Sequence, residues 1–115
     1  MASFQAIRAQ RRQERLSQLQ QGSQALLSDP AHQQVWLFGS YARGDWDAYS
    51  DIDLLAVAPD QAAAVALADR LRGAGLGDDV IALSTSRWQQ HQAGEDPLWR
   101  GICRDAVLLA GAEDR

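Results

Sequence analysis

The stretch "WLFGSYARGDWDAYSDIDLL" (residues 36–55) decides how this chain is read. It opens inside a short apolar run, "QVWLF" (34–38), that stops at Gly39 and Ser40. Ten residues follow, and Asp51-Ile52-Asp53 then opens a second apolar run, "DIDLLAVA" (51–58). Both runs have the length and composition of buried strands, with Trp36 in the core. Four aspartates, Asp45, Asp47, Asp51 and Asp53, fall within nine positions beside them.

Strand side chains alternate between faces, so Asp51 and Asp53 share a side with Leu55 and stand roughly 6–7 Å apart, while Ile52 and Leu54 face the other way. Two carboxylates on one half-buried face repel unless something cationic sits between them. The chain has no lysine; all eleven basic residues are arginine. Nearby arginines are one source of positive charge. A divalent ion fits better, because Mg²⁺ prefers carboxylate oxygens and binds through few of them together with substrate phosphates. The Gly39-Ser40 pair offers the complementary half. Gly39 allows close backbone approach, and Ser40 presents a hydroxyl and an N–H where "YARGD" turns into a helix start, an arrangement suited to phosphate.

The link from Gly39 to Asp51 is too short for a parallel crossover, which predicts antiparallel strands with Ser40 and Asp51 at one end of a sheet. The next link carries a helix, "QAAAVALADRLRGAG", long enough for a right-handed crossover to a parallel third strand, "DDVIAL" (78–83). Asp78 and Asp79 then reach the same end. Asp79 directly precedes the apolar "VIAL" and is the candidate third carboxylate. Asp78 reads as its solvated neighbour, and Asp45 and Asp47 as exposed loop acids.

The remaining elements follow from periodicity and punctuation. Residues 3–28 read as a helix with Phe4, Ile7, Leu16, Leu19, Leu26 and Leu27 at loosely helical spacing. Arg8, Arg11, Arg12 and Arg15 on it are a solvated face or a partner-docking face. Asp60 caps the second helix, whose inner face is Ala64, Leu67, Ala68 and Leu71. Ser84 or Thr85 caps a short helix through Trp88, Pro97 opens another, and "AVLLA" (106–110) closes as a strand or buried turn. The class is α+β, a small mixed sheet with flanking helices. One domain is expected over 1–115, with an N-terminal helix (1–28) and a catalytic core (34–110).

Composition excludes several chemistries. Net charge is −4, against nucleic-acid binding through charge alone. Without lysine there is no Walker-A lysine, lysine nucleophile or Schiff base. Cys103 is the only cysteine, and His32 and His91 lack ligand spacing, so neither a disulfide nor a structural zinc is expected. The start has no apolar signal region and no run nears the length of a membrane span, so a soluble cytoplasmic protein is expected.

"GSYARGDWDAYSDIDLL", with Gly-Ser, ten residues and Asp-X-Asp, resembles the signature of the DNA-polymerase-β-type nucleotidyltransferase superfamily. The form "GSxARG…SDIDLL" is similar to its smallest members, the minimal nucleotidyltransferases. The resemblance covers about residues 34–110. It implies that superfamily's fold, Asp51 and Asp53 as metal ligands, Asp79 as the third carboxylate, and Gly39 and Ser40 as the phosphate-holding pair. Arg43 matches the "ARG" and is a candidate nucleotide contact. The implied reaction is attack of an acceptor hydroxyl on the α-phosphorus of an NTP, with two Mg²⁺ ions and ATP as substrate. Minimal members are commonly paired with HEPN-domain ribonuclease toxins and place AMP on a toxin tyrosine. The resemblance therefore implies a protein adenylyltransferase acting as an antitoxin. A small-molecule nucleotidyltransferase of the aminoglycoside type, and an antitoxin that works by contact alone, are the alternatives.

Overall fold

A computed structural model describes residues 3–43 and 51–112. Its centre is a four-stranded mixed sheet in the order β3-β2-β1-β4, built from β1 (Gln34–Phe38), β2 (Asp53–Ala58), β3 (Asp79–Ser84) and β4 (Val107–Gly111). β1 pairs antiparallel with β2 and β4, and β2 pairs parallel with β3. Both orientations expected from the link lengths are therefore present, and "AVLLA" supplies a strand. The α+β class with a small mixed sheet and flanking helices is the observed architecture.

Helices cover both faces. α1 (Phe4–Leu26) and α3 (Gln61–Gly73) pack on one side, α4 (Thr85–Ala93) and α5 (Pro97–Asp105) on the other, and α2 (Gly39–Arg43) is a short turn after β1. The first face joins Leu19, Val35, Leu37, Leu54, Leu67 and Leu71; the second joins Phe38, Leu55, Val57, Leu83 and Trp88. Period-two alternation along β1 and β2 produces this division, sending Leu37 and Leu54 one way and Phe38 and Leu55 the other.

α3 forms as its sequence predicts. The Asp60 carboxylate accepts the Ala63 N–H at 2.8 Å, and the buried residues are Ala64, Leu67, Ala68 and Leu71. Ser84 caps α4 by accepting the Arg87 N–H at 3.3 Å, and Asp96 caps α5 just ahead of Pro97. α4 runs on to Ala93, past the expected stop near Trp88. α1 is mostly exposed, with only Leu19 and Ser23 buried, in keeping with its weak periodicity.

Two expectations are corrected. β2 starts at Asp53 instead of Asp51, because β1 gives way to α2 at Gly39 and Phe38↔Asp53 is the last pair of that ladder. Trp36 is half-buried, not core; its ring lies 5.6 Å from that of Trp88, and its indole N–H donates to Gln34 Oε1 at 3.0 Å. Among the described residues no helix is long and apolar enough to cross a membrane.

Candidate functional site

The ladder registers place the acids. Phe38 pairs with Asp53 on one side of β2 and Asp79 pairs with Asp53 on the other. Partners in adjacent strands stand about 4.8 Å apart in the pairing direction and lean to the same face of the sheet. Asp53 and Asp79 are therefore neighbours at the sheet end where β1 stops and β2 and β3 begin, although 25 residues separate them along the chain.

Gly39 completes one wall. Its φ of 77° lies in the left-handed region, and a Cβ built there would collide with Asp53 Oδ2. Only glycine meets both demands, so the backbone at the start of α2 lies directly against the Asp53 carboxylate. Half-burial pushes the Asp53 carboxyl above its ordinary value, and Asp79, Asp51 and Asp78, in that order, push it further. Among the described residues the charges named as acting on Asp53 are all negative, a setting that favours a cation.

Asp51 is exposed and lies just ahead of β2, off the ladder that carries Asp53. Asp78 is also exposed, as a solvated acid would be, but it has a structural bond. Its Oδ2 accepts the Ile52 N–H at 2.7 Å, while the Asp78 and Asp79 N–H groups donate to the Ile52 carbonyl at 2.9 and 3.3 Å. This exchange ties the entrance of β2 to that of β3. A cleft of about 370 Å³ opens here, lined by Phe38, Asp53, Arg72, Asp78, Asp79, Val80 and Ile81.

Among the described residues no three His, Cys, Asp or Glu side chains form a group that could hold a metal ion by themselves. The Asp53–Asp79 pair still fits a divalent cation. It offers hard oxygen donors, has no neutralising partner charge at Asp53 among the described residues, and matches the way Mg²⁺ binds through one or two carboxylates and completes its shell with substrate phosphates and water.

The structure thus gathers Asp53, Asp79 and the Gly39 backbone, with Asp51 exposed just ahead of β2 and its charge acting on Asp53. Ser40 and Arg43 belong to α2, but their side chains, together with Asp45, Trp46 and Asp47, lie outside the described residues. Sequence reasoning missed Arg72 and Phe38 as cleft residues. Phe38 was legible as the last strand residue before Gly39. Arg72 carried only the signal of a cation in the last turn of α3, which helix ends favour for their own stability.

The nucleotidyltransferase domain family model matches residues 18–91, a span that holds β1 to β3 and each of these acids. No curated protein matches the chain. Two solved structures resemble it. One is a crystal structure of a toxin–antitoxin with AMP-PNP, at 24% identity over 87% of this chain and 73% of that one, TM-score 0.46. The other is a candidate nucleotidyltransferase from Sulfolobus solfataricus, at 23% identity over 84% of each chain, TM-score 0.48. With its family match covering more than half of its length and holding the paired acids, the chain belongs to the nucleotidyltransferase domain family.

Proposed function

We propose that the chain transfers AMP from ATP to a hydroxyl of a partner protein, and that the acceptor is a tyrosine of a HEPN-type ribonuclease toxin, which the chain silences as its antitoxin. The observation that carries the catalytic part is the Asp53–Asp79 pair, set side by side by the parallel register with the Gly39 backbone against one of its carboxylates. The acceptor is supported by the likeness of "GSYARG…SDIDLL" to the minimal nucleotidyltransferases and by the exposure of Asp79 beside an open cleft.

In this reading Asp51, Asp53 and Asp79 would hold divalent cations, two when the nucleotide is bound. Those ions supply positive charge to the triphosphate and lower the pKa of the acceptor hydroxyl. Gly39 lets the backbone lie against the Asp53 carboxylate, and Gly39, Ser40 and Arg43 are the residues the family likeness offers for the phosphates. The acceptor oxygen bonds to the α-phosphorus as the bond to the bridging oxygen of pyrophosphate breaks. The hydroxyl proton passes to the Asp79 carboxylate, and pyrophosphate leaves. Asp79 suits this step because it is the more exposed of the pair and faces an incoming acceptor.

The test is the intact mass of a purified HEPN-type toxin after incubation with ATP, Mg²⁺ and this chain. The toxin should gain mass in AMP steps and lose ribonuclease activity. An Asp51→Asn/Asp53→Asn variant should dock but add no AMP. If the wild type and this variant silence the toxin equally without added mass, neutralisation is by contact and the catalytic reading fails for that partner. If the toxin is untouched while an aminoglycoside gains AMP, the acceptor is a small molecule.

A further inference from the structure

We propose that Arg72 is a positioning residue for the Asp53–Asp79 pair, gripping the first turn of β3 so that the two carboxylates stay at the spacing a divalent cation needs. This inference rests on the reading of that pair as the cation site.

Arg72 stands in the last turn of α3 and lines the acidic cleft. Its Nη2 donates to the Val80 carbonyl at 2.6 Å, and its Nη1 pairs with Asp69 Oδ1 at 3.0 Å. Val80 directly follows Asp79. The peptide on the other side of Asp79 is also held, because the Asp79 N–H donates to the Ile52 carbonyl at 3.3 Å. The Asp79 N–H is thus fastened to the entrance of β2, and the carbonyl of the next residue is fastened to α3. The Arg72 guanidinium is committed to Asp69 and to the Val80 carbonyl, so it acts through the backbone of β3. Arginine suits the task because its planar fork makes two fixed bonds at once, which a lysine ammonium on a flexible stem does not.

β3 is an edge strand, so covering the Val80 carbonyl also shields that edge. The positioning role and this shielding role differ in what they do to cation binding. Electrostatics alone makes a third forecast, because removing a positive charge near two carboxylates should tighten a cation. Positioning forecasts the opposite sign.

The experiment is Mn²⁺ binding to the free protein, followed by electron paramagnetic resonance without nucleotide. Arg72→Gln should weaken Mn²⁺ by about tenfold, as loss of an outer residue that orients a ligand does, while circular dichroism shows the fold retained. Asp69→Ala, which removes the acceptor of Nη1 on the surface, should weaken it in the same direction by a smaller factor. Folded Arg72→Gln protein that binds Mn²⁺ as well as or better than wild type overturns the proposal. If Arg72→Gln does not fold, Arg72→Lys decides: it keeps the charge but not the fork, and binding equal to wild type overturns the proposal. The Asp53→Asn/Asp79→Asn variant separates the two layers. If it binds Mn²⁺ like wild type, the pair is not the cation site and the underlying reading fails. If it loses Mn²⁺ while Arg72→Gln does not, only the role of Arg72 falls.

Discussion

On the face of the sheet under α1 and α3, Leu37, Leu54, Leu67 and Leu71 are wholly buried; under α4 and α5, Leu55 and Trp88 are buried, but no residue of α5 is, and Trp36 is only partly covered. Parity along β2 and β3 assigns Asp53 and Asp79 to the second face, in line with Leu55 and Ile81. The closely filled face fixes where each strand sits. The loosely filled face leaves space at its acidic end for groups that would be intolerable inside a close-packed core. The most fully buried side chains and the paired acids thus lie on opposite sides of the same strands, and if the proposed function holds, substitutions should separate stability from activity.

The largest effect should come from the acidic end. Asp53→Asn keeps the shape and removes one charge of the pair, so nucleotidyl transfer should fall by several kcal/mol of transition-state stabilisation, on the order of 10³-fold, followed as pyrophosphate release. The fold should not suffer. Because burial and three acids disfavour a charged Asp53, a melt in EDTA should show a midpoint equal to or above that of wild type. A large drop in midpoint would mean that the acid supports the fold and would erase the contrast between the faces.

Next comes a pair that probes the contrast directly. Leu67→Ala, in the filled face, should lower unfolding free energy by about 2–5 kcal/mol in urea titrations. Leu98→Ala on α5, where the side chain is 67% exposed, should stay within about 0.5 kcal/mol. Comparable losses would show that α5 is packed as firmly as α3.

A loss smaller than that of Leu67→Ala is expected at the seam between the two. Asp78→Ala removes the acceptor of the Ile52 N–H and should lower stability by about 1–2 kcal/mol. A loss of activity larger than that energy implies would show that the β2–β3 entrance also governs the spacing of Asp53 and Asp79.

Much of this was legible in the sequence. The antiparallel first pair and the parallel second pair followed from link lengths alone, and the inner face of α3 followed from Ala64, Leu67, Ala68 and Leu71. What local pattern could not supply was long-range bonding. Asp78 looked solvated because no spacing rule announces that its carboxylate will meet the Ile52 N–H, 26 residues away. Arg72 looked like an ordinary helix-end cation, since its bond to the Val80 carbonyl depends on how α3 lies along β3. Asp51 was placed on β2 because alternation was followed outward past Phe38, where the partner strand ends. Trp36 was taken for core because the apolar run around it does not reveal how thinly α4 and α5 cover its side.

The Asp53↔Asp79 register has a consequence for how such a chain can vary over time. The two acids meet because their strands pair, not because a set number of residues separates them. Lengthening or trimming the segment between β2 and β3 leaves their meeting intact so long as the crossover still reaches, and surface insertions of that kind are tolerated thermodynamically. Deleting a single residue of β3 after Asp79 would turn Asp79 to the opposite side from the one it now shares with the side chains beyond the deletion. The third acid is therefore free to drift in linear position while staying fixed in space. A relative is better recognised by an acid opening the next parallel strand than by any count of residues from Asp53.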